Sequence, residues 1–449
     1  MNKFFRISLV IAILVLAYLT ALMVLLPQGG FSGLLSQKTD IDWTDKSNKD
    51  AKNIIVDASG ISPGGMVVLI ENVVESILKK RPDWKFLVVI YNKKFLSQSF
   101  ISNPAISVLE VQALRASSAE STCKMCDFIT FGKFRNYLTQ AFFWKKFFID
   151  DYCDLIWDTC GEGGISWFDL PKVTTIHDVF NFDFREPKCG ITSPSVKLRR
   201  MDMSLKTDKV FTTISNFTKN RLLFHYPNIP QDSIHVILTR LASRLDVAVS
   251  ESESKKILDR YNLKEKNYLL FLSCFWRHKN HQNLIKAFNK FAQNDSANMK
   301  LALVGSGESK DVMKAIQALV DQLNLRDKVI FIRDADNVAA SVLLQKSLAF
   351  IHPSLYEGFG MPLVEAMTAG VPVACSTEGS LPEIGGDAVL FFDPYNVDEI
   401  TATIVRMVTD SSLRKSLIEA GKKQVKQFLD TDRMTDEYIS VFEKVMKKR

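Results

Sequence analysis

Twenty consecutive positions near the start of the chain, Ile7 to Leu26, carry no charge and are almost all apolar. Lys3 and Arg6 precede them. As a helix, such a run covers about 30 Å, the thickness of a bilayer core. A secretory leader has a shorter apolar stretch and a small-residue cleavage site, and Leu25-Leu26-Pro27-Gln28 supplies none. The pattern predicts a retained N-terminal transmembrane helix within 1–26, then a polar linker over 27–52.

From residue 53 the pattern changes. Short apolar, β-branched runs alternate with segments of helical period. NIIVDAS, KFLVVIY, CDLIWDT, KVTTIHDV, KVFTTIS and SIHVILT read as strands of one half. NYLLFLSC, MKLALVG, KVIFIRD, LAFIHPS, VPVACST and AVLFFDP read as strands of another. Amphipathic runs such as MVVLIENVVESILKK and NHQNLIKAFNKFAQN lie between them. This order predicts an α/β chain with two parallel β/α halves, 53–245 and 246–449. Ligands of such sheets bind outside the carboxyl ends of the strands, so two facing halves would enclose a cleft.

Composition adds little. With 47% hydrophobic and 24% charged residues, each half can bury a core. A net charge of +7 over 449 residues suits a membrane surface or a phosphate-bearing ligand, and equally an ordinary soluble surface. No dense Lys/Arg tract with interleaved aromatics is present, which argues against nucleic-acid binding. Seven cysteines without a regular framework read as free thiols. Cys123, Cys126, Cys153 and Cys160 lack the spacing of a zinc site.

The chemistry concentrates at strand ends. In HPSLYEGFGMPLVEAMTAG (352–370), Glu357 falls on a loop and Glu365 in the first turn of a short helix opened by Pro362 and closed by Gly370. A helix N-terminus there favours an anion, and two carboxylates suit hydroxyl-rich partners. Arg277 and Lys279 follow another strand, where cations can neutralise a diphosphate. Gly64, Gly65, Gly305 and Gly307 sit in strand-to-helix turns and allow close backbone approach. His177 and Asp178 end a strand of the first half. Asp334 and Asp336 spell D-x-D, but the same spacing recurs at Asp40–Asp42 and Asp430–Asp432, so they read as turn or cap residues.

The stretch PSLYEGFGMPLVEAMTAGVPVACS, with GSLPEIGGDAVLFFDP, RHKN and LVGSG around it, resembles the retaining GT-B glycosyltransferases of family 4. The resemblance covers most of 170–420 and implies two Rossmann-like domains, acceptor-side first and nucleotide-sugar-binding second. It implies a hexosyl transfer from a nucleoside-diphosphate-sugar to a glycan or lipid-linked acceptor, with the donor as substrate and neither cofactor nor metal. It assigns Glu357 to the donor sugar and Glu365 to ribose hydroxyls. The amides of Phe359, Gly360 and Met361 would meet sugar or diphosphate. Arg277 and Lys279 would face the leaving diphosphate, and His177 the reacting centre. SCFW stands where the family often has glycine and arginine after the strand. A catalytically silent sugar-nucleotide or glycan-binding relative, or a nucleotide-sugar epimerase, would share these features. The positive flank of the anchor places the bulk of the chain across the membrane, whereas sugar nucleotides are usually cytosolic, so the side stays open.

Overall fold

The computed structural model describes residues 51–58, 65–90, 92–110, 153–161, 171–184, 201–202, 204–206, 210–238, 247, 249–295, 298–305 and 310–447. The expected anchor and linker lie outside these residues, apart from the last two linker positions. Among those described, no helix is long and apolar enough to cross a membrane.

The first half is a seven-stranded sheet. Its strands are β1 (Asn53–Ala58), β2 (Lys85–Ile90), β3 (Ile106–Glu110), β4 (Leu155–Asp158), β5 (Lys172–Ile176), β6 (Phe211–Thr213) and β7 (Ile234–Val236). They run in the order β3-β2-β1-β4-β5-β6-β7, all parallel. The second half has β8 (Tyr268–Leu272), β9 (Lys300–Val304), β10 (Val329–Ile332), β11 (Ala349–His352), β12 (Val373–Ser376) and β13 (Val389–Phe392). Their order is β10-β9-β8-β11-β12-β13, again all parallel. Each sheet therefore reverses its winding direction once, between β1 and β4 and between β8 and β11, and such a switch point opens a crevice at the strand ends.

Burial explains the strand sequences. β1 reads NIIVDA with every residue buried, because helices cover both faces of a parallel sheet. The helices include α1 (Gly65–Lys80), α2 (Asn216–His225), α3 (His281–Ala292), α4 (Lys310–Gln322), α5 (Met361–Thr368), α6 (Leu381–Gly385) and α7 (Thr431–Met446). Asp336 caps the helix over Asn337–Gln345 by accepting the Ala339 N–H at 2.8 Å, the cap role expected of it.

One boundary differs from the expected division. Helix α7 packs on the first core, not the second: Met434, Tyr438, Phe442 and Val445 are buried there. The Tyr438 and Phe442 rings lie 5.3 and 5.7 Å from Trp157 of β4. Its polar face pairs with α1 and the turn after it, through Lys80–Asp436 at 2.7 Å and Arg81–Glu443 at 2.9 Å. The second half thus ends near Phe428, which is still in its own core. The chain passes from the first core to the second at Ile237 and Leu238. Arg433 Nη2 donates to the Leu238 carbonyl at 3.0 Å, so the outward and returning passages lie side by side.

Candidate active site

The centre of the second sheet's switch point is occupied by a compact charged group. Glu357 follows β11, and Lys279 follows β8 in a short 3-10 turn over Arg277–Lys279. Lys279 Nζ donates to Glu357 Oε1 at 2.6 Å. Both side chains are largely buried, at 14% and 12% exposure. One backbone and one side-chain hydrogen bond hold their loops together. The Leu355 N–H donates to the His278 carbonyl at 2.7 Å, and Asn280 Nδ2 donates to the Pro353 carbonyl at 3.1 Å. Asn280 adopts a left-handed φ of 58°, a conformation asparagine tolerates better than most residues. This explains why asparagine follows Lys279 in the sequence.

His352, the last residue of β11, contacts the same carboxylate, with Nε2 2.8 Å from Oε1. A carboxylate can only accept, so Nε2 carries the hydrogen. Ser354 Oγ lies 3.1 Å from that nitrogen. Burial lowers the His352 pKa and outweighs the opposing Glu357 charge; this and the absence of a hydrogen-bond partner at Nδ1 fit a neutral ring. For Glu357, burial alone would raise the pKa; the Lys279 charge and the His352 hydrogen bond outweigh it and leave the carboxyl well below its ordinary value. His281, packed against the rings of Phe271 and Phe275, is pushed down to about 3 chiefly by burial.

These shifts have one sign. A group whose folded pKa is depressed stabilises the fold above its unfolded value and ceases to do so as pH falls through the folded value. His352 and His281 should therefore make stability decline as pH drops below about 6.5, and Glu357 should add a further loss below about 4.3. Urea midpoints measured from pH 8 to 3.5 should show the upper decline, weakened in His352→Gln. A flat profile between pH 6.5 and 5 would contradict this account of the histidines.

The other expected residues divide. Arg277 is exposed and lines a cavity of about 340 Å³ with Trp276, Gln282, Asp311 and Leu355. Glu365 is buried at 4% exposure, but it is the fifth residue of α5 and so lies in its second turn, because the helix starts at Met361 with Gly360 as its cap. Gly360 has φ +91°, where a side chain is strained. The Phe359 ring turns into the second core against Phe428, at 5.6 Å, so only its backbone can face the cleft. Met361 packs against the same core. Gly305 is required by the protein itself, since a Cβ there would lie 2.1 Å from the Ser273 carbonyl oxygen. Gly64 and Gly307 lie outside the described residues; Gly65 is the first residue of α1.

From the first half, His177 follows β5, with Nε2 2.7 Å from the Thr159 carbonyl oxygen. Its own carbonyl faces Gly358, where a Cβ would approach to 2.2 Å. The first half therefore meets the second one residue from Glu357. Asp178 accepts the Phe180 N–H at 2.9 Å and caps the following turn. The D-x-D aspartates stand apart from this group: Asp334 pairs with Arg260 at 2.6 Å. Among the described residues no group of His, Cys, Asp and Glu could hold a metal ion. Sequence reasoning misses His352, although it opens the stretch 352–370, because one histidine ending an apolar strand has no spacing signature.

Two parallel sheets of this winding, facing across a charged switch point, define a GT-B-like α/β protein. Residues 253–424, within the second half, match the family model described as glycosyl transferases group 1. The chain is 32% identical over 264 residues to O-antigen chain mannosyltransferase B of Escherichia coli, covering 57% of this chain and 66% of that one. It is 30% identical over 223 residues to O-antigen chain mannosyltransferase RfbU of Salmonella typhimurium, covering 50% and 57%. The matches thus span less than two thirds of either relative. Among solved structures, Anabaena HepE in complex with UDP-glucose superposes with a TM-score of 0.66 at 16% identity, over 88% of this chain and 99% of that one. At that identity the likeness concerns the fold.

Proposed function

We propose that the chain is a glycosyltransferase that moves a hexosyl group from a nucleoside-diphosphate-sugar to a glycan or lipid-linked acceptor, retaining anomeric configuration and using no metal ion. The observation that carries this reading is the buried Lys279–Glu357 pair at the switch point of a glycosyl transferases group 1 domain. The O-antigen relatives favour mannose or a similar hexose and a surface polysaccharide, and the UDP-glucose neighbour favours a nucleoside diphosphate carrier.

The residue chemistry fits this transfer. As the sugar–phosphate bond breaks, the diphosphate gains negative charge and the sugar becomes cationic. Lys279 and Arg277 offset the first charge, and a fixed cation does so without reorganisation in the transition state. Pro362 has no N–H, and the Leu363 N–H is taken by the Gly360 carbonyl at 3.0 Å. The amides of Phe359, Gly360 and Met361 are then the ones a donor oxygen would meet. Glu357 accepts from donor sugar hydroxyls and Glu365 from the ribose, while His177 faces the acceptor side. Residues 7–26 anchor the protein beside a lipid-borne acceptor.

Full-length protein in detergent, given a panel of nucleotide sugars with a lipid-linked glycan extract, should release nucleoside diphosphate in an acceptor-dependent manner, with or without EDTA. Silence towards every donor would overturn the reading. Loss of activity in EDTA with recovery in manganese would overturn its metal-free part. Complete release into the supernatant by alkaline carbonate would overturn the anchor.

A further inference from the structure

Both neighbours of Glu357 are held by the opposite half. The Gly358 carbonyl accepts from Ser215 Oγ at 2.7 Å and from Thr218 Oγ1 at 3.3 Å. Tyr356, 5% exposed, is seated edge-on among Phe180, Phe184 and Phe217 of the first half, with ring centroids 5.4, 5.6 and 5.4 Å away. A third tie is more unusual. Glu383 of α6 accepts the first two N–H groups of α2, Asn216 at 2.8 Å and Phe217 at 3.0 Å, and also Asn216 Nδ2 at 2.9 Å. Those amides are left unsatisfied by a helix's own bonds, and a carboxylate there also meets the positive end of the helix dipole. Helix α2 already has its own cap, because Ser215 Oγ accepts the Thr218 N–H at 3.1 Å. The carboxylate therefore adds what the local sequence does not supply, from 166 or more residues away.

The segment leading into α6 is in turn fixed to Glu357. The Ser380 N–H donates to the Glu357 carbonyl at 3.1 Å. Gly379, with φ +69°, lies so close that a Cβ there would be 2.6 Å from the Glu357 nitrogen. A line of contacts thus runs from α2 through Glu383 and α6 to the backbone that carries the Glu357 carboxylate.

We propose that Glu383 is a positioning residue for sugar transfer: by capping α2 across the cleft it docks the two halves and fixes the backbone of Glu357 in its reactive place. This rests on the glycosyltransferase reading. In that reading the nucleotide is held mainly by the second half, through Arg277, Lys279 and Glu365, so nucleotide binding should survive the loss of docking while turnover does not.

The test uses the full chain. Glu383→Ala should lower kcat on the order of 10- to 100-fold, the scale set by small misplacements of reacting groups. The Kd for UDP alone, measured by calorimetry, should stay within about twofold if the nucleotide site is intact. Glu383→Gln keeps one acceptor oxygen and should recover part of the rate. Asn216→Ala should cost less, and should add nothing on the Glu383→Ala background, because the two form one contact. An unchanged kcat, or a parallel loss of UDP affinity, overturns the proposal. Docking is read without turnover by fluorescence energy transfer between dyes on the outer faces of the two halves. Glu383→Ala should shift it to longer distance, and an unchanged distribution overturns the proposal whether or not transfer is seen. A wild-type chain that shows the docking signal but is silent towards all donors would overturn only the transferase reading.

Discussion

Replacing Lys279 by methionine is expected to reduce sugar transfer by about 10²- to 10³-fold, the scale of removing one preorganised charge-stabilising group. The loss has two sources that can be separated. The cation that faces the departing diphosphate is gone, and Glu357 is left buried without its 2.6 Å partner. Removing one member of a buried pair typically costs about 3–5 kcal/mol, and His352 still bonds the carboxylate, so the lower end is expected here. Adding Glu357→Gln to the same chain should restore much of the urea midpoint, since the stranded charge disappears, but none of the transfer rate. A Lys279→Met chain within threefold of wild type in donor turnover would remove Lys279 from the reaction.

Gly358→Ala should be nearly as damaging for a purely steric reason. Its new methyl would stand 2.2 Å from the His177 carbonyl oxygen and 3.0 Å from Asp178 Cβ, both in the first half. Carbon and oxygen require about 3.3 Å, and a backbone oxygen at the end of a sheet strand cannot swing away, so the halves must part by about 1 Å. A displacement of that size next to the reacting groups costs on the order of 10²-fold in rate. Gly370→Ala is the control. Its φ of +68° makes a side chain strained, yet nothing lies within 4 Å. It should lose about 1–2 kcal/mol of stability and little activity. Donor turnover of the two variants, normalised to folded protein, distinguishes steric separation from a general intolerance of alanine.

Much of this architecture is legible in the sequence, and the reasons are local. β1, β2, β8 and β9 are buried along almost their whole length, so they appear as unbroken apolar runs, which only doubly covered parallel strands require. The cap roles of Ser215 and Asp336 and the helix-ending Gly370 depend on residues within four positions of themselves, and are equally readable. The pairing of Lys279 with Glu357 is not. They are 78 residues apart, and each alone is a cation or an anion on a loop. The same holds for Glu383, whose partners on α2 belong to another half, and for α7, whose apolar face announces that something covers it but not which core. Sequence alone starts this helix one residue late, at Pro362 rather than Met361, and so sets Glu365 in the first turn rather than at the start of the second, because the start of a helix depends on where the backbone leaves the left-handed Gly360, not on the first proline.

The return of α7 to the first core makes the second half an insertion rather than a domain joined by one tether. Its outward and returning passages meet where Arg433 bonds the Leu238 carbonyl. A body held by two adjacent strands cannot tumble freely; it can swing like a door on a single pin. A swing about that pin would leave the edge beside Arg433 fixed and move the edge away from it. Loss of the final helix would strip the wall from the opposite room and unfasten the pin at once.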